Sequence, residues 1–198
     1  MRKIPIEYED PIDNILTTIS EKVSPTFHNY GFTPNMVTTL SNISAIIVIL
    51  LLLQAKYIWA ALFFILAYFF DCLDGHLARK YKQFSKFGDY YDHISDFCKT
   101  MSILFTMYWI NSDKFYQVIP VIIIAGILQY FYLGCQEKYI DLIKNSTLTS
   151  DTLQYSKKLC PAKSNTKESI ENAMKYTKYV GPGIFSLVFA LSILYYDF

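Results

Sequence analysis

From Met36 to Gln54 the chain carries no charged residue. About 20 such residues are what an α-helix needs to cross the hydrocarbon core of a bilayer. A segment inside lipid must satisfy its own backbone hydrogen bonds, which a helix does and an isolated strand does not. Thr33 and Pro34 just before it read as an N-cap and a proline at the first helical position. Tyr57 to Phe70 is apolar again and runs straight into Asp71. Further helical runs are expected over Gly88–Ile110 and Val118–Cys135. A last, short one over Ile184–Tyr196 follows Gly181-Pro182-Gly183, which should break or kink a helix. The fold expected is therefore all-α: a polytopic membrane helix bundle with spans near 36–54, 57–78, 88–110, 118–135 and 183–197.

Composition agrees. Charged residues make up 18% and hydrophobic residues 53%, whereas a soluble domain carries roughly 25% charged residues. The net charge of +1 gives no reason to expect a nucleic-acid partner. Met1 to Tyr30 lacks the continuous apolar core of a cleavable signal peptide. Instead Ile12, Ile15, Leu16, Ile19 and Val23 recur at helical spacing behind Asp10-Pro11. Pro11 to Val23 reads as an amphipathic helix lying on the membrane surface. Residues 136–179 are polar and lysine-rich. Cys72, Cys98, Cys135 and Cys160 form no CxxC pair and read as small buried hydrophobes.

Lysines and arginines suggest the orientation. Only Lys56 and Lys114 lie in the turns on one side. Arg2, Lys3, Lys22, Arg79, Lys80, Lys82, Lys86 and the lysines after the fourth span lie on the other. The N-terminus and the Arg79–Lys86 turn are expected to face the cytoplasm, and the sequon at Asn145 is discounted for that reason.

One segment does not suit a plain membrane helix: DCLDGHLARKYKQFSKFGDYYDHISD, Asp71 to Asp96. Charge in a spanning helix is costly, and its default meaning is functional. Asp71 and Asp74 share a helix face with Gly75 and Ala78, with Arg79 at its margin. Gly88, Asp92 and Asp96 form a second face, four residues apart. The turn between is short enough to make the two helices antiparallel neighbours. Four carboxylates then converge, and they do not all stay ionised without a cation. Oxygen-only ligands select hard divalent ions such as Mg²⁺ or Mn²⁺. Lys99 falls on the same face, suited either to pairing with a carboxylate or to an anionic acceptor. His93 reads as a bystander, and Lys80, Lys82 and Lys86 as determinants of orientation.

The segment resembles the signature of the CDP-alcohol phosphotransferases, DxxDGxxARx(8)GxxxDxxxD, with Asp71, Asp74, Gly75, Ala78, Arg79, Gly88, Asp92 and Asp96 all in place. Thr33-Pro34-Asn35-Met36-Val37-Thr38 resembles the family's TPNxxT segment. The resemblance implies transfer of a substituted phosphate from a CDP-alcohol to an acceptor alcohol or diacylglycerol, with release of CMP. It implies two Mg²⁺ or Mn²⁺ ions, the first on Asp71, Asp74 and Asp92, the second on Asp71, Asp92 and Asp96. Asp96 would also be the general base. Gly75, Ala78, Arg79 and Ser85, with Asn35, Met36, Val37 and Thr38 of the first span, would contact the nucleotide. On this reading residues 1–33 are a cytoplasmic interfacial segment and residues 34–198 a transmembrane catalytic domain. Homodimerisation is left open. Family members usually show six spans, against five here.

Two other classes of membrane protein fit these residues less well. An intramembrane Mg²⁺-dependent prenyltransferase would carry its two acidic motifs far apart in the chain. A non-catalytic membrane protein or transporter has no need of Gly75, Ala78, Arg79 and Gly88 beside the carboxylates.

Overall fold

The computed structural model describes residues 2–144 and 154–198, with the side chains of residues 144 and 154 left aside. The protein is 85% helical and has no strands among the described residues. Seven α-helices run in the order α1 (Pro11–Asn29), α2 (Pro34–Leu53), α3 (Tyr57–Lys80), α4 (Lys86–Ile110), α5 (Ser112–Lys144), α6 (Lys167–Thr177) and α7 (Pro182–Leu194). Four segments are long and apolar enough to cross a membrane: α2, α3, α5, and the run from α6 through α7. The polytopic all-α bundle expected from the apolar runs is the fold observed.

Local chemistry sets several boundaries. Thr33 caps α2 by accepting the Met36 N–H, with Pro34 behind it, as the sequence suggests. Asp10 caps α1, accepting from Ile12 N at 2.8 Å and Asp13 N at 3.3 Å. α1 continues past Val23 and through Pro25 to Asn29, longer than its apolar repeat indicates. Its apolar repeat is divided: Ile15 and Ile19 are exposed, while Leu16 is buried with Thr17, Ser20 and Ser24 against the protein, and Val23 packs on the Val37 cluster. Apolar residues turned outward are stable where lipid, not water, lies outside.

α4 is not among the four most apolar helices, because Asp89, Asp92, Asp96 and Lys99 occupy its first half. Its second half turns Phe105 and Trp109 outward, as a lipid-facing surface does. Two expectations change in the C-terminal half. α5 starts at Ser112 and ends at Lys144, not 118–135; at 1.5 Å per residue it is roughly 50 Å long and reaches beyond a bilayer. The polar stretch after it contains the amphipathic helix α6, whose buried Ile170 and Met174 pack on Tyr132, Cys135, Tyr139 and Ile140 of α5. Cys135 and Cys160 are bonded to each other rather than being separate buried hydrophobes; Cys72 and Cys98 are free, and Cys98 is exposed on α4, not buried as the sequence reading has it. No sixth membrane-length helix occurs among the described residues, and the sequon at Asn145 lies outside them.

The main core lies between α2, α3, α4, α5 and α7, around Val48, Leu52, Ile103, Met107, Phe189 and Ile193. A smaller cluster of Val37, Leu73 and Leu77 locks α2 to α3 next to the acidic segment. The two helices that carry the signature are thus fixed against the same partner, α2.

Candidate active site

The end of α3 and the start of α4 bring the acidic residues together. One oxygen each from Asp71, Asp74 and Asp92 lies within 4.8 Å of the others. Asp74 is buried and accepts a hydrogen bond from the Thr38 hydroxyl at 2.6 Å. That bond comes from α2 and fixes the carboxylate's rotation. Asp92 Oδ1 is buried without a hydrogen-bond partner. A buried carboxylate oxygen left unsatisfied is costly, and a hard cation held by the three carboxylates would satisfy it. The donor set, all oxygen and triply anionic, fits a divalent ion.

Asp96 stands beside this group, with its side chain 42% exposed, and pairs with Lys99 at 2.6 Å. Lys99 also reaches Asp71 at 3.2 Å. Of the two uses the sequence allows for Lys99, the structure shows carboxylate pairing. His93 Nδ1 lies 2.7 Å from the Asp89 carbonyl one turn back, and His93 also lines the cavity beside the acidic group.

The small residues of the signature make room for particular neighbours. A Cβ on Gly75 would meet Arg79 Nη1 at 3.1 Å, so the guanidinium lies across the glycine. A Cβ on Gly88 would come within 2.9 Å of Ser85 Oγ and 3.0 Å of Asn35 Oδ1. Ser85 caps α4, accepting the Gly88 N–H at 2.9 Å. Asn35, Ser85 and Gly88 therefore gather at the entrance to α4, and Thr38 reaches Asp74. Val37 is buried with Leu73 and Leu77, whereas Met36 is exposed.

The acidic group opens onto a cavity of about 610 Å³. Asp71, Arg79, Asp92, Asp96 and Phe97 line it from α3 and α4. Gln129, Tyr130, Leu133, Gln136 and Phe185 line it from α5 and α7. Such a space, part apolar and part polar, suits a lipid-linked substrate beside a polar reacting centre.

Asp13 and Tyr68 also line this cavity, and the sequence gives no sign of it. Tyr68 donates to Asp13 Oδ1. Burial pushes the Asp13 carboxyl up to about 7, and the neighbouring Asp10 charge adds to the shift. Only the position of Asp13 in the first turn of α1 was legible, and helix starts collect aspartates for reasons unrelated to a site.

The molecule is thus a membrane-type helix bundle that gathers carboxylates from two adjoining helices around a cavity. The family model for CDP-alcohol phosphatidyltransferase matches residues 32–141, more than half of the chain, and the protein belongs to that family. No curated protein and no solved structure matches the chain significantly.

Proposed function

We propose that this integral membrane protein transfers a substituted phosphate from a CDP-alcohol to an acceptor alcohol, releasing CMP, as a step of phospholipid synthesis. The observation that carries this reading is the convergence of Asp71, Asp74 and Asp92, with Asp71, Asp92, Asp96 and Arg79 lining one cavity. Asp71, Asp74 and Asp92 would hold Mg²⁺ or Mn²⁺. When bound, such an ion neutralises the diphosphate and stabilises the departing CMP.

The chain's own residues take the remaining tasks. Arg79, laid over Gly75, presents a fork that matches phosphate oxygens. Asn35, Ser85 and Gly88 form a polar margin for the cytidine end, with Ala78 on the face of α3 that carries Asp74 and Gly75. Thr38 keeps Asp74 in its ligating orientation. Asp96 lines the cavity and takes the proton of the acceptor hydroxyl as that oxygen attacks the phosphorus distal to the cytidine. General-base help of this kind is worth about 10²–10⁴-fold. The lysine distribution favours the cytoplasm for this face, where CDP-alcohols would enter, with α1 lying along the same surface on this reading.

The test is CMP release by purified protein in mixed micelles. CDP-diacylglycerol is offered with a panel of polar alcohols, and CDP-choline or CDP-ethanolamine with diacylglycerol. One pair should turn over, stop in EDTA and recover in Mg²⁺ or Mn²⁺. Turnover that persists in chelator would remove the metal from the reaction, and no CMP from any pair would remove the reaction.

A further inference from the structure

Lys99 lies in the carboxylate site, and the chemistry above leaves it without a task. Its Nζ is 2.6 Å from Asp96 Oδ1, 3.2 Å from Asp71 Oδ1 and 2.8 Å from Ser41 Oγ. An ammonium has three hydrogens. These three acceptors, from α4 itself, α3 and α2, use all of them. Ser41 is committed to accepting, because its own hydroxyl donates to the Ala67 carbonyl at 2.8 Å. The Lys99 side chain is only 14% exposed. Lysines beside an accessible surface normally extend their charge to water; this one is turned inward and fixed.

The family resemblance implies a second ion on Asp71, Asp92 and Asp96. With Lys99 in place those residues do not fit one. The three carboxylates that converge are Asp71, Asp74 and Asp92; Asp96 adjoins only the Asp71 side of that group, where Lys99 already joins the two. A Mg²⁺ ion needs its oxygens at about 2.0–2.1 Å. An ion bridging Asp71 and Asp96 would lie between the two oxygens that the ammonium already joins, and two cations do not share that ground. The signature leaves the position three residues after its last aspartate unspecified.

We propose that Lys99 takes the place of the second divalent ion. The site then holds a single ion on Asp71, Asp74 and Asp92, with a fixed ammonium joining Asp71 to Asp96. Lys99 is a positioning residue: it aligns Asp96 toward the cavity and keeps Asp71 turned to the ion. The inference rests on the phosphotransferase reading and narrows it.

The experiment counts Mn²⁺ on the purified full-length protein in detergent, by equilibrium dialysis and electron paramagnetic resonance. Wild type should bind one Mn²⁺ per chain, with the spectrum of an isolated ion. Lys99→Met should bind two, spin-coupled, since paired ions in such sites lie roughly 3.5–4 Å apart. Asp96→Asn should still bind one with unchanged affinity, because Asp96 is bonded to the lysine and not to the ion; this variant carries the test if Lys99→Met fails to fold. Two coupled ions in wild type, a lost ion in Asp96→Asn, or a folded Lys99→Met that holds no more than wild type would each overturn the proposal. Two ions would leave the phosphotransferase reading standing. No Mn²⁺ on any variant would sink the metal reading itself, and this inference with it.

Discussion

Asp10 and Ile184 join the two ends of the fold: Asp10 Oδ2 accepts the Ile184 backbone N–H at 3.1 Å, while Oδ1 accepts the Ile12 N–H at 2.8 Å. One buried carboxylate therefore caps both α1 and α7. α1 is tied to α7 through it, and both border the cavity.

Losing an N-cap costs about 1 kcal/mol, so losing two at once should cost about 2 kcal/mol. Asp10→Ala should lower the melting temperature in detergent, and Asp10→Asn, which keeps an acceptor oxygen, should recover most of the loss. If Asp10→Ala melts with wild type, the shared cap contributes nothing.

Asp13 gives the stability a pH dependence. Its carboxyl rises from an ordinary 3.8 to about 7 through burial, with Asp10 and Glu9 on its own side and Asp71 across on α3 adding negative charge; the Tyr68 hydroxyl bond opposes the rise. A raised folded-state value means the native protein holds the proton more tightly than the unfolded chain does. The stabilisation is complete below about 4 and is lost as pH climbs through about 7. Thermal unfolding should show wild type weakening between pH 5 and pH 8. Asp13→Asn, which keeps the oxygen that Tyr68 bonds, should weaken less and exceed wild type at pH 8. Parallel curves for the two proteins would contradict the assignment.

Much of this molecule is legible in its sequence. The uncharged run 36–54 and the Thr33-Pro34 cap define α2, and fixed spacing in the acidic segment brings Asp71, Asp74 and Asp92 together. What stays hidden depends on contacts between distant elements. Nothing near Ser41 says that it will hold Lys99, because the contact exists only once α2 crosses α4. Asp13 is invisible as a cavity residue for the same reason. Gly75 reads as a place where substrate approaches, whereas the space beside it holds Arg79. The length of α5 escapes because its last turns are stabilised by α6 and the Cys135–Cys160 bond, not by an apolar run. Lys3, paired with the buried Glu137 of α5 at 2.8 Å, reads only as one more positive charge.

Orientation can be tested at Gln83, which is exposed in the turn between α3 and α4. Two signals meet on this face. Lysines favour the cytoplasm, while disulfides such as Cys135–Cys160 persist mainly in oxidising compartments. We expect the lysines to decide. Gln83→Cys, in a chain with Cys72 and Cys98 replaced by alanine, should react with impermeant maleimide only after the cytoplasmic face is opened. Labelling of Gln83→Cys from outside intact cells would invert the orientation.

The last prediction separates the base from the metal ligands. Asp71 has an oxygen in the group that converges within 4.8 Å, whereas Asp96 lies beside it, half-exposed and paired with Lys99. Asp96→Asn keeps the side chain's shape but accepts no proton. It should lose about 10²–10⁴-fold in turnover while still binding CDP-alcohol in Mg²⁺. Asp71→Asn removes a ligand charge from the ion and frees one of the acceptors of Lys99. It should therefore weaken metal and nucleotide binding along with turnover. The comparison needs nucleotide affinity by calorimetry and turnover in mixed micelles for each variant. If Asp96→Asn keeps more than about a tenth of wild-type turnover, a loss smaller than removal of a general base produces, the proton goes elsewhere. Asp92, or a water held by the carboxylates, then becomes the base to test next.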